Sequence, residues 1–199
     1  LVFGADSEPV KSGRVATIQA LGGTGGLKVG ADFLRKLNPK AKLLISDPSW
    51  ENHRALFEGA GFPVKDYKYY DPATRGVDFA GMKAALAAMP AKSIVVLHAC
   101  CHNPTGADIT PAQWAEVVEA IRERNLVAFI DMAYQGFADG IKQDAVALDL
   151  FAASGLQFFV SSSFSKSFSL YGERVGALTI VTASKDESAR VLSQVKRVI

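Results

Sequence analysis

Ser93–Asp131 reads "SIVVLHACCHNPTGADITPAQWAEVVEAIRERNLVAFID", two short apolar runs bracketing one segment of helical periodicity. "SIVVLHA" and "LVAFID" are apolar at nearly every position rather than at alternate ones. Strands of that kind are buried on both faces, which implies a mostly parallel sheet with helices on either side. Between them, residues 111 to 124 have the spacing of a helix. The same alternation extends outward. Further strands are predicted at "AKLLIS", "VKDYKY", "LQFFVSS" and "GALTIV", and helices near residues 50 to 60, 78 to 89, 144 to 153 and 186 to 198. "GGTGG" precedes "LKVGADFLRKL", so a glycine turn feeds another helix from about Thr24. The fold class is α/β, a three-layer α/β/α arrangement around a mostly parallel sheet.

The 199 residues, 49% hydrophobic and 21% charged, suit one compact domain with a substantial core. Net charge is +2, and the basic residues are interspersed with acidic ones, as in "SKDESAR". No basic stripe tracks a phosphate backbone, so nucleic acid is not expected as a partner. Cys100 and Cys101 are adjacent and are the only cysteines, a pattern that fits a reducing, cytoplasmic setting better than a disulfide framework. "LVFGADSEPVKSG" has no signal-peptide pattern, and no apolar run approaches the roughly 20 residues needed to span a bilayer. A soluble protein away from the membrane is expected.

In parallel sheets of this kind ligands bind beyond the carboxyl ends of the strands. Those exits carry "SDPSWENH", "HACCHNPTG", "DMAYQGF" and "SSSFSKS". Lys166 stands among serines, close to a strand exit and eight residues before Arg174. An amine so placed can have its pKa depressed and attack carbonyls. Arg174, Ser163 and Ser165 together suit a phosphate dianion, and the helix opening at Gly23 and Thr24 offers free N–H groups for the same ligand. Asp131 ends an apolar strand, where a carboxylate calls for a cationic partner or serves as a turn cap. Tyr134 follows on the same side, and Asn103 sits in a turn directly after a buried strand. Trp50 reads either as core or as a platform for a ring, and His53 lies one helical turn beyond it. His98 and His102 flank the cysteines, but their spacing suits a helix and the segment is extended; no metal site is expected.

Taken as a set, these stretches resemble a known family. "SSSFSKSFSLYGERVGA" (Ser161–Ala177) is similar to the pyridoxal-phosphate attachment segment of class I aminotransferases, the pattern S-x-S-K followed by R-x-G. "SDPSWENH", "HACCHNPTG" and "DMAYQGFADG" resemble further motifs of that family in the same order, nearest the aspartate and aromatic amino acid aminotransferases of its alpha subfamily. The resemblance implies pyridoxal 5'-phosphate as cofactor and ping-pong transfer of an amino group from an amino acid to a 2-oxo acid. Lys166 would be the covalent anchor and proton shuttle, and Asp131 the partner of the pyridine nitrogen. Asn103 and Tyr134 would hydrogen-bond the ring hydroxyl, Trp50 would stack on the ring, and His53 would support Asp131. Gly23, Thr24, Ser163, Ser165 and Arg174 would hold the phosphate. Family members also commonly have cis prolines at the positions of Pro48 and Pro104.

Departures from the pattern are mild: Gly26 stands where many relatives have alanine, and Lys28 where they often have arginine. Length departs further, because family chains are about twice as long. The resemblance therefore implies that residues 1–199 form part of the large, cofactor-binding domain, without the small domain and the N-terminal arm. A homodimer is expected of the full-length form and no turnover of the fragment alone. Two other readings stand beside transamination: a non-catalytic cofactor-binding or dimerisation module, and a lyase or decarboxylase of the same fold.

Overall fold

In the computed structural model, which describes residues 2–199, helix α1 (Glu8–Lys11) and strand β1 (Val15–Leu21) lead directly into α2 (Gly22–Leu37). There follow β2 (Leu43–Asp47), α3 (Glu51–Gly59), β3 (Val64–Lys68), the two-residue strands β4 (Tyr70–Asp71) and β5 (Gly76–Val77), and α4 (Phe79–Ala87). The second half runs β6 (Ile94–His98), α5 (Pro111–Glu123), β7 (Val127–Met132), a 3-10 turn (Gln143–Ala145), α6 (Val146–Ala153), β8 (Phe158–Ser163), β9 (Val175–Val181) and α7 (Lys185–Val195). Helix α5 begins in a reciprocal cap: Thr110 Oγ1 accepts from the Gln113 N–H, and Gln113 Oε1 accepts from the Thr110 N–H.

Seven strands form one sheet in the order β1-β9-β8-β7-β6-β2-β3. Neighbours from β3 through to β8 pair in parallel, while β9 is antiparallel to both β8 and β1. Only β9 therefore runs against the rest.

Strand side chains alternate between faces, and here both faces are dry. Ile94, Val96, Phe129, Phe159 and Leu178 pack with Leu27 and Leu34 of α2 and Phe57 of α3. Their neighbours Val95, Leu97, Ala128, Ile130 and Val160 pack on the other side with Leu86 of α4, Val117 and Ile121 of α5, and Phe151 of α6. This is the reason the strands read as continuous apolar runs rather than alternating ones.

Four details differ from the sequence reading. The "VATIQAL" segment is an edge strand with one buried residue, Ala16, so its apolar signal is faint. Helix α2 starts at Gly22, before Thr24. The third strand ends at Lys68, and a short β4–β5 ribbon follows it. "GALTIV" lies in the antiparallel member of the sheet, which brings its beginning, and Arg174 just before it, to the edge where the parallel strands end. Asp47–Pro48 and Asn103–Pro104 are both cis.

Candidate active site

Chain geometry delivers the candidate residues to one edge. β2, β6, β7 and β8 end there, followed by Trp50, Asn103, Tyr134 and Lys166, while β1 ends there in α2 and β9 starts there after Arg174. Between them lies a cavity of about 330 Å³. Its wall includes Gly23, Thr24, Trp50, Asn103, Asp131, Tyr134, Ser163, Ser165, Lys166 and Arg174. His53 is the exception among the sequence candidates: it is fully buried behind Asp131 and off the cavity surface.

Strand parity explains how Asp131 finds its partner. It shares a face of β7 with Phe129, the face covered by α2 and α3, and α3 carries His53 in its first turn. His53 Nε2 lies 2.8 Å from Asp131 Oδ2, and His53 Nδ1 lies 2.9 Å from Ser49 Oγ. An ionised carboxylate only accepts, so Nε2 carries the proton and donates it toward Asp131. Burial raises the Asp131 carboxyl, but the hydrogen bond and charge of His53, with His98 and Lys166 beyond, outweigh it and hold the group below its ordinary 3.8. The result is a buried anion aimed into the cavity.

The opposite end gathers a guanidinium, hydroxyls and a helix N-terminus. The Gly22 N–H donates to the Arg174 carbonyl at 2.7 Å. Gly22 has φ +66°, and a Cβ there would stand 2.5 Å from Arg174 Nη2, so glycine is required where α2 meets the guanidinium. Arg174 Nη1 donates to Ser165 Oγ at 3.3 Å and to the Tyr171 carbonyl at 3.1 Å. Two residues of bare helix N-terminus, two serine hydroxyls and one guanidinium thus converge. Lys166 lies between these ends, its Nζ 4.6 Å from the centre of the Tyr134 ring and 5.3 Å from that of Tyr171.

Comparison with known proteins shows the family of the chain. The sequence profile of the family "Aminotransferase class I and II" matches residues 1–199. The chain belongs to that family. It is 66% identical over its whole length to an aspartate aminotransferase of Pseudomonas aeruginosa and 54% identical to an aromatic-amino-acid aminotransferase of Escherichia coli, covering 50% of each. The crystal structure of the aromatic-amino-acid aminotransferase of Burkholderia pseudomallei, covalently bound to pyridoxal phosphate, superposes with a TM-score of 0.98 at 68% identity, over 99% of this chain and 49% of that one. The chain thus spans about half the length of the curated relatives it matches.

The sequence reading leaves out Tyr171 and weighs His98 only as a metal ligand. Tyr171 sits in an irregular loop that gives no periodic signal, yet it lines the cavity beside Lys166. His98 also lines it, and its buried Nε2 has no hydrogen-bond partner among the described residues. The register could have exposed it, since His98 pairs directly with Asp131 across β6 and β7. Its ring lies 4.9 Å from that of His53 and 4.4 Å from that of His102. His102 instead ties its own loop to β2, bonding Ser46 Oγ at 2.9 Å and Thr105 Oγ1 at 2.8 Å.

Burial first, then the neighbouring His53, pushes His98 down from 6.5 to about 3. Above pH 6.5 both folded and unfolded forms hold a neutral imidazole. Below it only the unfolded form takes up the proton until the folded pKa is reached, so this contribution to stability falls as pH drops from 6.5 toward 3. At pH 5 the loss from His98 is about 2 kcal/mol. Urea unfolding at pH 7.5 and 5.0 should therefore show a smaller acid penalty in His98→Gln than in the unsubstituted protein. Identical penalties would remove His98 as the source.

Proposed function

We propose that the intact protein carrying this chain is a pyridoxal-phosphate-dependent aminotransferase, moving an amino group from an aspartate or aromatic amino acid to a 2-oxo acid. One observation carries the reading: a single cavity is lined by an amine, Lys166, a buried carboxylate, Asp131, and the guanidinium of Arg174 with its neighbouring serine hydroxyls. The residues fit the cofactor on this chain's own geometry. The cradle at Gly22 is one that a Cβ would close, the Asp131 carboxylate is held ionised, and the lysine stands between them. When bound, the cofactor supplies an aldehyde that can take an amino group and a ring that delocalises an electron pair.

The chain's residues do the rest. Lys166 would anchor the aldehyde end and, once released from it, would accept the proton lost by the substrate α-carbon and return it to the carbon on the far side of the transferred nitrogen. Asp131 stays ionised and keeps a proton on the ring nitrogen, with His53 fixing its orientation from behind. Asn103 and Tyr134 orient the ring hydroxyl and Trp50 covers a ring face. Gly23, Thr24, Ser163, Ser165 and Arg174 hold the phosphate so that the other end cannot drift. This domain is read as the greater part of the cofactor-binding unit, working in a reducing, cytoplasmic compartment where Cys100 and Cys101 stay as free thiols. A second copy is read as its partner, supported by the exposed apolar side chains of Phe137, Ile141 and Phe168.

The relatives named above are all aminotransferases, which supports transfer over a lyase or decarboxylase reaction. Adding aspartate or phenylalanine alone to the cofactor-loaded intact protein tests this. The expected result is one equivalent of the matching 2-oxo acid per site, after which release stops until a 2-oxo acid acceptor is supplied. Continued release of product without an acceptor, or carbon dioxide in its place, would contradict the reading.

A further inference from the structure

Ser161 takes no part in the roles assigned above, and it is completely buried. It lies two residues before Ser163 on β8 and so shares that residue's face of the sheet. Its Oγ donates to the Gly23 carbonyl at 2.7 Å. Gly23 belongs to the first turn of α2 and lines the cavity. The bond therefore ties the helix end that faces the anion cradle to the strand that carries Ser163.

Room for this hydroxyl is created one helical turn further along. A Cβ on Gly26 would stand 2.6 Å from Ser161 Oγ and 3.0 Å from the Ala177 carbonyl. At Gly23 itself a Cβ would come within 3.1 Å of Ser163 Cβ, so the turn already lies close against the strand. The geometry points to Ser161 and Gly26 as a coupled positioning pair: the hydroxyl seats in the notch left by Gly26 and fixes the Gly23–Thr24 turn where its N–H groups meet a phosphate. This rests on the cofactor reading proposed above. Ser161 touches no ligand and acts through Gly23.

A hydroxyl that merely supported the fold would affect all ligands of the cavity alike, whereas this pair acts on the phosphate. Dissociation constants for pyridoxal phosphate and for pyridoxal, which lacks the phosphate, separate the two in the intact protein. Ser161→Ala is expected to weaken pyridoxal phosphate about fivefold, the loss of one hydrogen bond, and to leave pyridoxal within about twofold. Gly26→Ala is expected to weaken pyridoxal phosphate about tenfold or more, because the hydroxyl must be displaced. Combining the two should be no worse than Gly26→Ala alone, since the closer of the two crowded groups is then gone. Equal losses for both ligands in Ser161→Ala, or single effects that simply multiply in the double variant, would overturn the inference and leave the cofactor reading intact. If Gly26→Ala does not fold, the ratio of the two ligands in Ser161→Ala decides alone. An unsubstituted protein that binds neither ligand would remove the cofactor reading and the inference with it.

Discussion

Lys166→Ala is expected to lower turnover of the intact protein by about 10³-fold or more, because in the proposed function one side chain supplies both the covalent anchor and the proton carrier. The other titratable groups of the cavity wall are poor substitutes. Asp131 is an anion held ionised, the His98 imidazole is pushed down to about 3, and Tyr134 and Tyr171 present ring faces to the amine. Cofactor should still bind, since the phosphate cradle and the Asp131 end are untouched. Small primary amines added to the variant are expected to restore part of the rate, as they can reach the vacated position and carry the proton. Turnover within about tenfold of the unsubstituted protein would show that another base serves this step.

Asp131→Asn keeps the shape of the side chain and removes its charge. Turnover is expected to fall by about 10²- to 10³-fold, the scale set by breaking a buried charge pair from one side. The pH profile distinguishes this from a general loosening of the site. The carboxylate is held below 3.8, so it is ionised throughout the range from pH 5 to pH 9, and the ratio of unsubstituted to Asp131→Asn rates should be flat across it. A ratio that changes steeply within that range, or a variant within about threefold of the unsubstituted rate, would mean that Asp131 is not the fixed anion described here. Comparison of kcat with KM adds detail, because an interaction made only as charge develops lowers kcat and kcat/KM together.

Much of this was legible in the chain because burial leaves a compositional trace. The continuous apolar runs of β6 and β7 forced a sheet covered on both faces, and with it the rule that ligands lie at the carboxyl ends of strands. That rule selected Asn103, Asp131, Tyr134 and Lys166, and all four line the cavity. The edge strand β1 was not legible, because only Ala16 of its seven residues is buried and the outward-facing Leu21 is apolar, which blurs the alternation. The reversed direction of β9 was equally hidden, since strand composition does not encode direction when both faces are buried. The place of His98 on the cavity wall was hidden for a related reason. Its place opposite Asp131 is a matter of register between β6 and β7, which are separated in sequence by the whole of α5. The Ser161–Gly26 contact joins residues far apart in sequence, and neither residue is unusual until the helix lies on the strand.

The central claim, that Lys166 is the covalent anchor between a phosphate cradle and a buried carboxylate, is tested most directly by reductive labelling. Incubation with pyridoxal phosphate, borohydride reduction, proteolysis and peptide mapping should place a single pyridoxyl label on Lys166. A label on any other lysine, or none above the level found after Lys166→Ala, would contradict it.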